Sequence, residues 1–554
     1  MSFCKNSSQQ ITMDDSLSIL TEREAKRLSG SWAKEFGDII FPMINESRFA
    51  RIYSDNHASR PNNPVNVYFG LLLLKEMFDQ SDEEAIDSLL FDIRYQYALR
   101  TTSFEEQPVS KNSLSNFRGA IYEYNEANGV DLIKEEMESH AAAIAKLLKV
   151  QGRTTRMDSM MISSSCKELT RLEIIYACVS GFIKEADKQN DTNLPEKFQG
   201  YLDARHKNDV IYRSKSSEAG DRLENAIADA LELEKLFEGT LLSETEAYQL
   251  LTRMISEQTK ENENSDRELL PSKEIPPDSL QNPADPDAAY RTKGGKKCIG
   301  YVGNIVENFN ENDSVIISYD LKPATYSDQS FTKDVLGELG HQEEKRDILV
   351  DGAYYADALA KEAEQQNIRL IPSGIVGREA RGDYSEFDID EETHEILSCK
   401  MGCAPLSGKY EKGIYKAYFA KEHCENCPNL ATCPVTRQRR RYMLKVAQIQ
   451  VNTAQLKKQM ETKEYKSLTA KRAGIEGVPS VLRRKYDIDH LPVRGLSRSS
   501  LWLGFKIGAI NVIRFLGREK RYRRQALRQA LLNQTRKTFH IWSFTYGKLG
   551  FTPL

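Results

Sequence analysis

Three carboxylates in this chain stand where a carboxylate can do chemistry. Asp158 lies inside a β-capable run at 154–162, and Asp351 follows the apolar run Ile348-Leu349-Val350 and precedes Gly352. A carboxylate at the end of a buried strand is held rigidly at a sheet edge, where solvent and ligands arrive. Acids also end strands without any function, and position alone does not separate the two cases. Glu476 sits between Arg472 and Arg483, at offsets of 4 and 11 within that segment. At about 100° per residue, a helix would bring these three side chains within roughly 40° of one another. The face would carry one carboxylate flanked by two guanidiniums, with ordinary i,i+4 pairing as the bland alternative. Gly477 and Pro479 argue against an unbroken helix there. The acids Asp285, Asp287, Asp347, Asp383, Asp388 and Asp390 fall in loops or at a strand start and read as solvated surface groups.

A second cluster is built from sulfur. Five of the nine cysteines fall at Cys399, Cys403, Cys424, Cys427 and Cys433. A Cys-x2-Cys turn lets two thiolates grip one tetrahedral zinc ion, and Cys403 and Cys433 would complete the set with Cys424 and Cys427. His423 is a substitute ligand, and a group of reduced thiols without metal is the alternative. If present, the zinc would be structural. An odd number of cysteines without a secretory signal predicts a reduced, intracellular setting. The stretch at 501–513 is too short and too interrupted by Lys506 for a membrane span, so it predicts a buried helix.

The net charge of −4 over 554 residues hides an asymmetry. Residues 434–554 hold 27 Lys+Arg against 6 Asp+Glu, a net of +21, which leaves −25 for residues 1–433. A split of this size points to a polyanion partner for the basic part. Its densest clusters are at 437–441, with Arg439 and Arg440, and at 518–524, with Arg521 and Arg523. Such density would neutralise phosphates, although one isolated basic run is more often a solvated face.

The elements that must position these groups divide the chain. Residues 15–150 predict helices: an apolar segment at Val65–Phe78 led by Pro64, then a capping box at Ser81-Asp82-Glu83-Glu84 opening a helix to about Leu99. That pair could bind DNA as a helix–turn–helix or be an ordinary helix pair. Acidic helices follow at 186–270, then a Pro-rich linker at 271–288. Strands at 298–309, 313–320, 347–350 and 369–372 alternate with helices at 328–339 and 355–366. The order predicts a mixed α/β domain, antiparallel early and parallel later.

Arg156-Met157-Asp158-Ser159, Val350-Asp351-Gly352-Ala353-Tyr354 and Arg472-Ala473-Gly474-Ile475-Glu476-Gly477 together resemble the three acidic blocks of DDE transposases from bacterial insertion sequences. Thr469 stands where many members carry Tyr, and Arg483 where many carry Lys. The resemblance runs from about residue 36 to 516 and takes in the segment 41–100, the linker at 282–288 and the closing segment at 496–514. It implies an RNase H-like core with a helical insertion, an all-α N-terminal domain and a cysteine-rich insertion. The implied divisions are 1–150 (helical, DNA-binding), 151–185 (core, first acid), 186–295 (acidic insertion and linker), 296–377 (core, second acid), 378–445 (cysteine-rich), 446–516 (core, third acid) and 517–554 (basic tail).

By the same resemblance, Asp158, Asp351 and Glu476 are catalytic and hold two Mg²⁺ or Mn²⁺ ions, with Asp158 bridging. Arg472 and Arg483 contact phosphate, as planar guanidiniums do well. The implied activity is cleavage at insertion-sequence ends and strand transfer into target DNA. The implied partners are double-stranded DNA with terminal inverted repeats, target DNA and a second copy of the chain in a synaptic homodimer, with no membrane, in the bacterial cytoplasm at the nucleoid. Two alternatives stay open: a catalytically inactive transposase-derived DNA-binding protein, and an RNase H-like nuclease without strand transfer.

Overall fold

The structure is a computed structural model that describes residues 1–6, 15–56, 58–102, 109–189, 194–213, 219–262, 267–377, 382–390, 393–518 and 521. It is mixed, 53% helix and 18% strand, as the alternation along the chain predicts.

A six-stranded sheet carries the first two acids. Its strands are β1 (Thr154–Ser163), β2 (Ala289–Lys293), β3 (Lys296–Phe309), β4 (Ser314–Pro323), β5 (Arg346–Val350) and β6 (Ile368–Pro372). β3 pairs antiparallel with β1 on one side and with β2 and β4 along the other, while β1–β5 and β5–β6 are parallel. The sequence pattern missed only β2, a short polar strand after the Pro-rich linker. β3 is buried over most of its length because both sheet faces are covered. Side chains alternate between those faces. Tyr301 and Ile305 face one apolar cluster, and Val302 and Val306 face another.

The helices introduced next are α1 (Val65–Phe78), α2 (Asp82–Phe91), α3 (Lys111–Asn128), α4 (Leu132–Leu147), α5 (Arg171–Lys188), α6 (Ala219–Phe237), α7 (Glu246–Gln258), α8 (Asp328–Leu339), α9 (Asp357–Gln365), α10 (Gly477–Tyr486) and α11 (Leu496–Leu516). α8 and α9 cover the Val302 face through Phe331, Val335, Leu336 and Ala363. α11 and the N-terminal helices cover the other. Close approach sets that packing: a Cβ on Gly508 would lie 2.3 Å from the Met137 sulfur of α4. Ser81 caps α2 with the expected box, but the helix stops at Phe91. Asp92 is extended and caps a separate helix, Ile93–Leu99, accepting from the Arg94 amide at 2.9 Å. α1 buries 12 of its 14 residues, so it is a core helix with no free face to read a groove.

α5, α6 and α7 form the helical insertion between β1 and β2, with an apolar cluster of their own. The linker that returns from it corrects one sequence expectation. Asp285 is no surface acid: it is wholly buried, accepting from Ser164 and Tyr301 hydroxyls and, at 3.0 Å, from the Gly495 amide. Asp287 accepts from the Leu496 amide at 2.9 Å. The two carboxylates therefore cap the start of α11, where free amides and the helix dipole favour negative charge.

A second sheet, β7 (Ser407–Glu411), β8 (Ile414–Ala420), β9 (Thr436–Arg437) and β10 (Arg441–Ala447), organises the cysteine-rich region in the order β7–β8–β10–β9. The cysteine spacing gave no sign of these strands.

Candidate active site

Asp158 projects from the middle of β1, opposite Ile305 of β3. Asp351 is the first residue beyond β5. The β1–β5 register runs Thr154 to Asp347 and Arg156 to Leu349, so its continuation sets Asp351 beside Asp158. Asp351 turns the chain: its carboxylate accepts from the Gly352 amide at 2.7 Å and starts the short turn Gly352–Tyr354. Gly352 is required there, because a Cβ would stand 2.7 Å from the Gly374 carbonyl oxygen. Glu476 ends a 3-10 turn, Lys471–Glu476, and α10 begins at the next residue. Gly477 and Pro479 thus break the predicted helix only into a tight turn followed by an α-helix, with Pro479 tolerated in the first turn.

The guanidinium of Arg472 sits between two of the acids. It donates to Asp158 Oδ1 at 3.3 Å and to Glu476 Oε1 at 3.5 Å. Its side chain is 12% exposed, against 63% for Glu476, so the pair reaches from the interior to the surface. The Arg472 Nε–H is buried with no partner among the described residues. Burial pushes the Asp158 carboxyl above its ordinary range; Arg472, the Ser159 amide and Lys293 oppose that rise, and the nearby Asp351 charge adds to it.

What holds the third acid against the sheet is Arg156. Its guanidinium donates through Nη1 to the Lys471 carbonyl at 2.7 Å and through Nε to Glu307. It also lies over the Phe309 ring, 4.5 Å from its centre. Glu307 is fully buried and accepts in turn from Arg514 of α11 at 2.6 Å. A Cβ on Gly474 would come within 2.0 Å of Arg156 Nη1. The first and third sequence blocks therefore interlock: the arginine two residues before Asp158 fills the space left by the glycine two residues before Glu476. Neither block reveals this alone, because the partner is over 300 positions away.

Sequence reading also missed a polar layer behind Asp158. Ser159 Oγ donates to the buried Asp328 at 2.7 Å, and Tyr354 Oη donates to Asn304 at 2.8 Å. Asp328 opens α8 and looked like a helix-start acid; only the packing of α8 on the sheet brings it to the site.

A cavity of about 380 Å³ opens on Asp158, Ser159, Glu476, Ser480, Arg483 and Arg484. Arg483 also pairs with Asp489 at 3.4 Å. Arg484 was not singled out from the sequence. Arg439 and Arg440 are exposed at the β9–β10 turn, on the cysteine-bearing unit. Arg521 pairs with the buried Asp313 at 2.6 Å and so ties its segment to the β3–β4 turn. Arg523 lies outside the described residues. Asp347 pairs with Arg369 at 2.8 Å at the start of β5, away from Asp351. Cys403, Cys424, Cys427 and Cys433 line another cavity together with Cys399 and His423. Among the described residues, no three His, Cys, Asp or Glu side chains stand close enough to hold an ion between them as placed.

Two family models match the chain. Residues 399–516, which span the cysteines, Arg472 and Glu476, match the family described as transposase DDE domain. Residues 26–120 match a transposase domain family, DUF772. No curated protein matches the chain. Among solved structures, a piggyBac transposase synaptic complex with hairpin DNA is similar at 10% identity, covering 92% of this chain and 76% of that one, with a TM-score of 0.27, too low to bear on the fold. The two family matches, one on the N-terminal helices and one on the third-acid region, support a DDE transposase of an insertion-sequence type.

Proposed function

We propose that the chain cuts DNA at the ends of an insertion sequence and joins those ends to target DNA, in a reaction that depends on divalent metal. The observation that carries this reading is the strand register that sets Asp351 beside Asp158, with Arg472 linking Asp158 to Glu476 beside an arginine-lined cavity. Three antiparallel pairings followed by two parallel ones, with a helical insertion after the first strand, support the RNase H-like reading of the core.

The donor set fits Mg²⁺ or Mn²⁺: hard carboxylate oxygens, two of them already sharing a cation in Arg472. Asp158, Asp351 and Glu476 would hold the ions. When bound, the ions supply an activated oxygen nucleophile and relief of charge on the phosphate. The remaining work falls to the chain. Arg483 and Arg484 face the cavity and are placed to hold a phosphate by charge-assisted hydrogen bonds. With those carboxylates holding metal, the Arg472 guanidinium that pairs with Asp158 and Glu476 would be available to the same phosphate. Arg156, Glu307 and Gly474 keep the Glu476 turn fixed to β1 throughout. The basic surface, including Arg439 and Arg440, would bind the duplex further out, with affinity falling as salt rises. Arg521 contributes less, since Asp313 holds its charge.

Partners in this reading are inverted-repeat ends, target DNA and a second copy of the chain at synapsis, in the bacterial cytoplasm. Among the described residues, no helix is long and apolar enough to cross a membrane. The test is incubation of the purified chain with linear DNA bearing candidate terminal repeats, with and without Mg²⁺ or Mn²⁺. End cleavage that requires metal and vanishes in Asp158→Asn, Asp351→Asn and Glu476→Gln, with DNA binding retained, is expected. Specific binding without cleavage by the intact chain would return the inactive DNA-binding alternative.

A further inference from the structure

The cysteine-bearing unit has a smaller core than its size needs. Its apolar cluster holds eight buried residues, among them Phe387, Tyr415, Phe419 and Leu444. Small units with little apolar burial generally need a cross-link or a metal to persist as ordered structure. Five thiols converge where such a staple would act, around one cavity of about 380 Å³.

The backbone presents them on tight turns. Before β7, the Gly402 amide donates to the Cys399 carbonyl at 2.7 Å and the Cys399 amide to the Cys403 carbonyl at 3.0 Å, with Gly402 at φ +74°. After β8, the short helix Lys421–Glu425 ends in a turn in which the Cys427 amide donates to the Cys424 carbonyl at 3.1 Å. The Cys433 amide donates to the Asn429 carbonyl at 2.9 Å. Cys399, Cys424 and Cys433 pack against the same apolar cluster; Cys403 and Cys427 are outside that packing, Cys427 tied to Cys424 by its turn and Cys403 standing beside Cys399.

We infer that Cys399, Cys424, Cys427 and Cys433 form a structural tetrathiolate site for one zinc ion, which staples the β7–β10 sheet to the segment before it. The packing exchanges Cys403 for Cys399 in the set that the spacing suggests. Four thiolates and no open position make the site structural, with no part in the cleavage chemistry. The sulfur atoms line the cavity without surrounding a common point, so loading draws them together by side-chain rotation on fixed turns. Each thiol releases its proton to solvent as it binds, and no redox partner is involved.

The test is the zinc content of the full-length chain, purified without chelator, by elemental mass spectrometry, together with Co²⁺ titration of metal-stripped protein. About one zinc per chain is expected, and Co²⁺ should give the thiolate charge-transfer and tetrahedral d–d bands. Cys424→Ser and Cys433→Ser should lose the zinc, while Cys403→Ser and Cys178→Ser keep it. Intact protein that carries no zinc and gives no such Co²⁺ spectrum would overturn the site. Full zinc in Cys433→Ser, or its loss in Cys403→Ser, would overturn the ligand set. Should Cys424→Ser not fold, the Cys403→Ser and Cys433→Ser pair and the wild-type Co²⁺ spectrum still decide. The readout is independent of DNA cleavage, so it can be repeated on Asp158→Asn and fails separately from the transposition reading.

Discussion

The N-terminal helices and the helical insertion are both largely α-helical, yet they join the six-stranded sheet in opposite ways. The buried residues of α1, α3 and α4 belong to one apolar cluster with Tyr301, Ile305 and Tyr319 of the sheet and with Leu503 to Phe515 of α11. Polar ties cross the same boundary: Lys506 of α11 pairs with Glu76 of α1 in the interior, and Ser500 donates to Asp131 at 2.8 Å. The insertion instead closes on itself around Phe182, Phe237, Tyr248 and Leu251, and among the described residues its cluster includes none from the six-stranded sheet. An element that shares a core with the six-stranded sheet cannot shift without repacking it, whereas one with its own core can be repacked locally. Damage in the first region should reach the candidate site; damage in the second should stop at its border.

The largest expected effect is from Lys506→Met. It leaves the buried Glu76 with Lys75, at 3.0 Å, in place of two cations, and removing one member of such a buried pair costs up to about 3–5 kcal/mol. Burial already holds the Lys506 ammonium below its ordinary pKa, so the pair has little stability in reserve. Denaturant unfolding should show the loss in the transition that includes the sheet, with DNA-end cleavage falling alongside. Next is Phe182→Ala, at a ring packed 5.1 Å from Phe237 and 5.5 Å from Tyr248. It should cost about 3–5 kcal/mol within the insertion alone. Hydrogen exchange should then rise in α5–α7 while β1, β3 and β5 keep their protection; increased exchange throughout the sheet would erase the distinction between the two regions.

A smaller effect belongs to the interlock at the site. Gly474→Ala forces Arg156 away from the Lys471 carbonyl and displaces Glu476, and a displacement of about 1 Å can cost on the order of 100-fold in rate. Cleavage should fall by about 10- to 100-fold with DNA affinity nearly unchanged. Rescue by a smaller side chain at position 156, such as Arg156→Lys, would confirm that the two residues compete for one space.

The smallest effect is on stability at Asp158. Its carboxyl is raised by burial, so the folded chain holds that proton more tightly than the unfolded chain does. The stabilising contribution is complete below the ordinary carboxylate pKa of about 3.9 and is lost as pH rises through the raised value. Asp158→Asn removes the cost of the buried charge at neutral pH. The variant should therefore melt at the same or a higher temperature than the wild type at pH 7, with the difference shrinking toward pH 4, while losing cleavage.

Much of the site was legible because local pattern and local geometry coincide. An acid after a run of β-branched and aliphatic residues is an acid at a strand end, and Asp351 is that. β3–β6, α8 and the capping box at Ser81 follow from periodicity and turn residues in the same way. What stayed hidden depends on distant partners. Asp285 looks like a loop acid among prolines, and only Tyr301, Ser164 and the start of α11 make it a buried cap. The Arg156–Gly474 fit, the approach of Asp328 and the pairing of Arg521 with Asp313 all need the folded chain. The β7–β10 sheet escaped because its cysteines drew the pattern, while its strands alternate apolar and polar residues over only a few positions.

The most direct test of the central claim is metal-dependent cleavage of a terminal-repeat DNA by the intact chain, set beside Asp158→Asn, Asp351→Asn and Glu476→Gln. Cleavage by the wild type is expected only with Mg²⁺ or Mn²⁺, with its loss in each variant while specific DNA binding is preserved. Undiminished cleavage in any one of the three variants would contradict it.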